Sequence, residues 1–358
     1  MPDAAAHYTP RDAAVAPAAR ASWAERLSTP GARRAGIALG AALSLAFVVA
    51  QLALDRVPFG PHGSMRDFRV GLLHCVLAVY LPMACARVLH AAAVAARSVR
   101  TRTSPTAAGL ATLPRVVPVA ATLVGLAGAL MGPYLMEPGV ATPLYWWNPT
   151  HWNGASVWHR VLGLWVSPWS VMFAIVVPLA SARLSRLARD VALRDVFDRA
   201  PLAPFVQPAL TNALLAVGLL SLWSAFSVDF GAARPVLVHA ALALALVAVA
   251  LLLPVQGVRQ RVHEAKEAEL AWAREAIARE RRLLRDAAGP SRPGAAADAV
   301  SGGRLADLLA YRSLVEQVSE LPFDNPALRR VALYLLIPVG SWVASTLGQH
   351  VVERYLLK

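Results

Sequence analysis

The sequence predicts an all-α, polytopic membrane protein: six transmembrane helices, a shorter candidate for a seventh, and a cytoplasmic helical hairpin. Three observations carry that expectation. Hydrophobic residues make up 57% of the chain and charged residues 16%, whereas soluble domains carry about 25% charged residues. The apolar residues gather in blocks of about twenty, the length that crosses about 30 Å of hydrocarbon as a helix with its backbone hydrogen bonds satisfied internally. The connections between blocks alternate between Arg-rich and Arg-poor. A secreted disulfide scaffold, a disordered chain and a cytosolic multidomain enzyme are thereby excluded.

The first 34 residues are rich in Ala, Pro and Arg and lack an apolar core. They read as a disordered cytoplasmic tail rather than a cleaved signal peptide, and the first apolar block reads as a retained anchor. A six-helix bundle is expected over 35–254, with spans at 35–54, 70–90, 116–136, 161–181, 210–228 and 235–254. A hairpin follows over 255–326. The last segment, 327–358, holds an apolar stretch at 331–347 interrupted by Pro338 and Gly340.

Orientation follows from arginine, since lysine occurs only at 266 and 358. Arg11, Arg20, Arg26, Arg33 and Arg34 precede the first span. Arg97, Arg100, Arg102 and Arg115 fill the second connection, and Arg183, Arg186, Arg189, Arg194 and Arg199 the fourth. The odd-numbered connections are poorer, with Arg56, Arg66 and Arg69 in the first, Arg160 in the third and Arg234 in the fifth. The positive-inside rule then puts the N-terminus and the segment after span six in the cytoplasm of a cell whose inner (plasma) membrane holds the bundle. It also explains the net charge of +13 without nucleic acid. Trp146, Trp147, Trp152, Trp158, Trp165, Trp169 and Trp223 fall near the outer face, where an aromatic belt is expected.

Beyond Pro254 the composition changes. Residues 258–286 are charged and free of Gly and Pro, which predicts a long solvated helix with opposite charges at neighbouring positions. Its apolar stripe is thin: Leu270, Ala273, Ile277 and Leu284, interrupted by Glu280. A Gly/Pro-rich turn over 287–303 precedes a second amphipathic helix with Leu305, Leu308, Tyr311, Val315 and Val318 at three- and four-residue steps. An antiparallel coiled coil is expected, with Leu270, Ile277, Leu284, Leu308 and Val315 at its interface. Such a thin pair would pack on another subunit or partner, or fold back on the connection 183–199, itself read as a short amphipathic helix. The closing stretch ELPFDNPALRRVALYLLIPVGSWVAS resembles the C-terminal segment of bacterial multi-pass membrane proteins in which a charged coiled coil precedes a Pro-Phe-Asp turn and a Leu-Tyr-Leu-Leu-Ile-Pro-x-Gly-Ser-Trp helix. The likeness covers about thirty residues, and Leu321 stands where that pattern has a tryptophan. It implies the order of segments and no activity.

No phosphate-binding loop, HExxH or GxSxG motif is present. Cys75 and Cys85 stand ten residues apart on one helix, about 15 Å and too far for a disulfide. They read as buried apolar thiols. Polar residues at membrane depth remain the candidates for function. His74 and His239 lie at similar depth near the outer face, with His62, His151 and His159 in the outer connections. His74, His239, His151 and His159 form a candidate cluster for a transition metal, although no cofactor is required. Asn212 reads as an interhelical hydrogen-bond partner, and Gly36/Gly40 and Gly128/Gly132 as close-packing pairs.

Three functions compete on these features. A membrane scaffold or signalling component would use the coiled coil to oligomerise or to bind a partner protein. A transporter or channel would use the outer His/Trp region as its mouth. An intramembrane enzyme would act on a lipid-linked substrate. The first is preferred, because the hairpin is the most distinctive feature outside the lipid.

Overall fold

The computed structural model describes residues 23–53, 65–98, 112–136, 154–191, 193, 195–198, 200–230, 234–287 and 295–320, with isolated positions between 333 and 340. Among these the chain is 93% helical and has no strand. The helices are α1 (Trp23–Leu27), α2 (Pro30–Ala53), α3 (Met65–Ser98), α4 (Val116–Met136), α5 (Gly154–Arg189), α6 (Ala203–Phe230), α7 (Arg234–Ala287) and α8 (Ala295–Gln317), with a 3-10 turn at Ala200–Leu202.

Among the described residues, five helical stretches are long and apolar enough to cross a membrane: Pro30–Ala53, Phe68–Ser98, Arg160–Arg189, Ala200–Ser224 and Ala241–Asp286. The apolar stretch of α4, Val116–Met131, is shorter. Ile37, Leu45, Val49 and Leu52 on α2, and Val119, Leu123 and Val124 on α4, are exposed. So much uncovered apolar surface on one chain demands an apolar solvent. Lipid supplies it, and the chain is a multi-pass membrane protein.

α3 lies at the centre, packed on α1, α2, α5 and α6, while α7 packs on α5 and α6 and α4 rests on α5. Leu77, Leu81, Leu89, Phe173, Val176, Leu184 and Phe205 fill the core between them. α2 runs antiparallel to α3. A Cβ on Gly36 would meet Met83, one on Gly40 would lie against Val79, and the Phe47 ring covers Gly71. Two crossings bring backbone onto backbone. A Cβ at Gly125 would stand 2.3 Å from the Pro168 Cα, and one at Gly257 would stand 2.0 Å from the Ser185 carbonyl oxygen. Only glycine allows either approach.

Pro82 sits inside α3 and has no N–H, so the carbonyl of Ala78 one turn earlier loses its helical donor. In lipid no water replaces it. The indole Nε1–H of Trp165 on α5 donates to that oxygen at 2.9 Å. Trp169, one turn on, packs edge-on against Trp23 of α1 at 6.1 Å. Both side chains, expected in an outer aromatic belt, instead join helices.

Other expectations need correction. Residues 23–27 and 30–34, assigned to a disordered tail, are helical; Ser28 Oγ donates to the Ala86 carbonyl at 3.2 Å and Arg97 pairs with Glu25 at 2.9 Å. α7 runs through Pro254 as one helix of 54 residues, where a change of module was expected. α8 begins at Ala295, inside the stretch read as a turn, because Ala295–Val300 carries helix-forming alanines that outweigh the following glycines. The connection 183–199 is not a separate helix: α5 continues to Arg189 and the described residues after it are irregular.

Of the expected close-packing pair Gly128/Gly132, only Gly128 has described surroundings. Gly128 faces open space, since the face of α4 that meets α5 carries Gly125 instead. Gly132, four residues on, belongs to α4, and its surroundings lie outside the described set. Among the described residues of α4, Gly125 makes the close approach to α5. The seventh-span candidate, 331–347, lies almost wholly outside the described residues.

Trp165→Phe is expected to cost about 1 kcal/mol of stability, the scale of one hydrogen bond between membrane helices. Pro82→Ala restores the missing N–H, so the same Trp165→Phe change in that background should cost less than half as much. Unfolding of the four proteins in mixed micelles measures the cycle; equal costs in both backgrounds refute the pairing.

Candidate functional site

The described residues with the densest polar and aromatic contacts lie where α7 leaves the apolar bundle. Here α5 ends, the connection 190–198 passes, and α8 returns along α7. The sequence keeps α7 helical beyond the bundle by filling 258–286 with Ala, Glu, Arg and Leu, all strong helix formers. Gly289, Pro290 and Gly294, residues that break helices, stand in the sequence between the two helices.

The pairing is antiparallel and its register is fixed by polar contacts. Glu320 accepts from Arg259 Nε at 3.2 Å and lies 3.0 Å from His263 Nδ1. Lys266 Nζ donates to the carbonyls of Glu316 and Val318 at 2.7 and 3.1 Å. The Tyr311 hydroxyl donates to Glu269 Oε2 at 3.0 Å. A shallow groove lined by Gln256, Arg259, Gln260, His263 and Glu320 opens at the first of these contacts. Hydrogen bonds from His263 and then Arg259 hold the Glu320 carboxyl below the usual carboxylate range. Burial, and then the bond to Glu269, pushes the Tyr311 phenol up.

Apolar contacts lock the pair to the connection. Val196, Leu270 and Val315 form one buried cluster with Ala265, Tyr311 and Val318 around it. Phe197 packs on Tyr311 at 6.1 Å and 70°, and Trp272 packs on the same ring at 5.8 Å and 85°. Arg261 Nε donates to the Val191 carbonyl at 2.8 Å, which also accepts from the Leu193 amide at 3.1 Å, just past the end of α5. The hairpin therefore folds back on the connection within one chain. Of the five expected interface residues, Leu270 and Val315 meet in this cluster, Ile277 is buried, and Leu284 and Leu308 are half-buried. Glu280, read as an interruption of the stripe, is 6% exposed.

The histidines expected near the outer face are only partly described. On α3 the Nδ1–H of His74 donates to the Val70 carbonyl at 2.8 Å, and its Nε2 lies 3.8 Å from where a Cβ on Gly163 would stand. His239 and His159 lie on α7 and α5, with side chains outside the described set, and His151 and His62 lie outside the described residues altogether. Among the described residues no three His, Cys, Asp or Glu side chains gather as metal ligands. Cys75 and Cys85 are both buried and free. Asn212, expected to bond across helices, is fully buried with neither amide atom hydrogen-bonded. The buried positions around it on α6, Phe205, Ala209, Ala213 and Ala216, are apolar, so its own helix supplies no side-chain partner. Sequence reading missed Glu320, Phe197 and Trp272.

Comparison of the chain with protein-family profiles, with curated proteins and with solved structures finds no match.

A carboxyl whose folded pKa is depressed contributes stability above its unfolded pKa and loses it as acid titrates through the folded value. The α7–α8 tie through Glu320 is thus expected to hold through the ordinary carboxylate range and to open below it. Spin labels on Glu267 and Ser313 report the opening as a broadened distance distribution. Glu320→Gln should already broaden it at neutral pH, and a distribution that ignores both changes refutes the tie.

Proposed function

We propose that the chain is a membrane scaffold or signalling component of a bacterial inner membrane, built on six spans and a seventh at 331–347. Its N-terminus and hairpin lie in the cytoplasm, and the hairpin oligomerises or holds a partner protein. What supports this reading above all is α7, one helix that carries the apolar bundle straight into a charged surface module. The alternation of arginine between connections supports the orientation. The heptad step of Leu270, Ile277 and Leu284 supports a coiled-coil pairing with α8. Association would draw on apolar side chains that the hairpin leaves exposed, among them Leu283, Leu309 and Leu314 at 59%, 48% and 56%.

A second reading, a transporter or channel, draws on Gln51, Ser181, Ser185 and Asn212. They are buried in the apolar helices with side-chain atoms that make no hydrogen bond, a costly arrangement in lipid that a polar pathway would relieve.

The full chain in non-ionic detergent is expected to sediment as a dimer or larger. Leu283→Glu combined with Leu314→Glu should return it to one 38.1 kDa chain with unchanged helicity. A monomeric wild type with no stoichiometric partner refutes the scaffold reading. A cysteine at Ser313 should react with an impermeant thiol reagent only from the cytoplasmic side.

A further inference from the structure

Where α7 and α8 pair, two aromatic rings pack on Tyr311, whose hydroxyl donates to a carboxylate. Trp272 is 50% and Phe197 45% exposed, yet both pack on Tyr311, at 85° and 70°. An open groove lies between Ala268, Glu269, Trp272 and Tyr311. The Tyr311 hydroxyl occupies Glu269 Oε2 and leaves Oε1 uncommitted among the described residues. Asp195, whose Oδ1 accepts from the Phe197 amide at 2.9 Å, adds a second negative charge close enough to act on the phenol. The corner is thus acidic and aromatic within a chain of net charge +13. Three cations of the hairpin lie on other partners: Lys266 on the Glu316 and Val318 carbonyls, Arg312 on Glu316, Arg259 on Glu320.

We propose that this corner of Glu269, Trp272 and Tyr311 is a binding site for a small organic cation, an alkylated ammonium. Two rings set nearly at right angles present π-density on two walls of a groove, and a carboxylate stands at its side. That is the chemistry that attracts a quaternary ammonium, whose low hydration makes it cheap to strip of water. A hard metal ion needs several oxygen ligands, and one free carboxylate oxygen between indole and phenol does not supply them. An apolar ligand would gain nothing from Glu269 or Asp195. The site is independent of whether the hairpin associates, because it is complete within one chain.

The test uses the full chain in a maltoside detergent, free of choline headgroups, with its tryptophans replaced by 5-fluorotryptophan. Trp272→Phe identifies the fluorine resonance of Trp272, and the remaining resonances report the fold. Tetramethylammonium chloride is expected to shift that resonance saturably. Sodium chloride at equal ionic strength and the neutral isostere 3,3-dimethylbutan-1-ol should leave it in place. Glu269→Gln should weaken binding about fivefold, whereas Tyr311→Phe, which keeps the ring and frees the carboxylate, should hold it within about twofold of wild type. An equal shift with the neutral alcohol or with sodium, or affinity indifferent to Glu269→Gln, overturns the proposal.

Discussion

The bundle and its charged hairpin meet at a contact with no side chain on one of its two sides. At Gly257 the backbone of α7 lies on the carbonyl of Ser185, so close that a single methyl group would have to displace one helix. That contact fixes where α7 leaves α5, and the positions of Arg261, Leu270 and Tyr311 along the hairpin follow from it. Arg261 then reaches the Val191 carbonyl, and Leu270 meets Val196. Overpacking of a tight site usually costs 1–3 kcal/mol, but here it would also move every contact further out along α7.

The same economy governs the apolar helices. Without water, each carbonyl freed by an internal proline must find a donor on a neighbour or remain unsatisfied. Pro82 creates one such oxygen and Trp165 on α5 answers it, so a defect in one helix becomes a specific tie to another. Glycine and proline act here as a pair of devices, one shortening the distance between helices and the other directing a hydrogen bond across it.

Much of this was legible in the sequence, and the failures are instructive. Spans could be read because lipid imposes a length and a composition that no packing detail overrides. The hairpin could be read because charge and three- to four-residue periodicity survive in any context. The role of Trp165 and Trp169 could not, since a belt and an interhelical bond demand the same residue at the same depth. Gly125 and Gly257 were passed over for GxxxG pairs such as Gly128/Gly132, because a lone glycine is silent until the crossing point is known. Asn212 shows the reverse case: a polar residue at membrane depth suggested a bond, and the apolar positions around it on α6 offer none. Val196 and Phe197, in an irregular connection, had no periodicity to mark them.

The unbroken length of α7 has a mechanical consequence. From Gly257 to Ala287 the helix projects about 45 Å at 1.5 Å per residue, with its fulcrum where it crosses α5. A tilt of about 10° there would swing the far tip by about 8 Å over that projection. A displacement too small to register among lipid tails would arrive at the distal end as a stroke as wide as a helix.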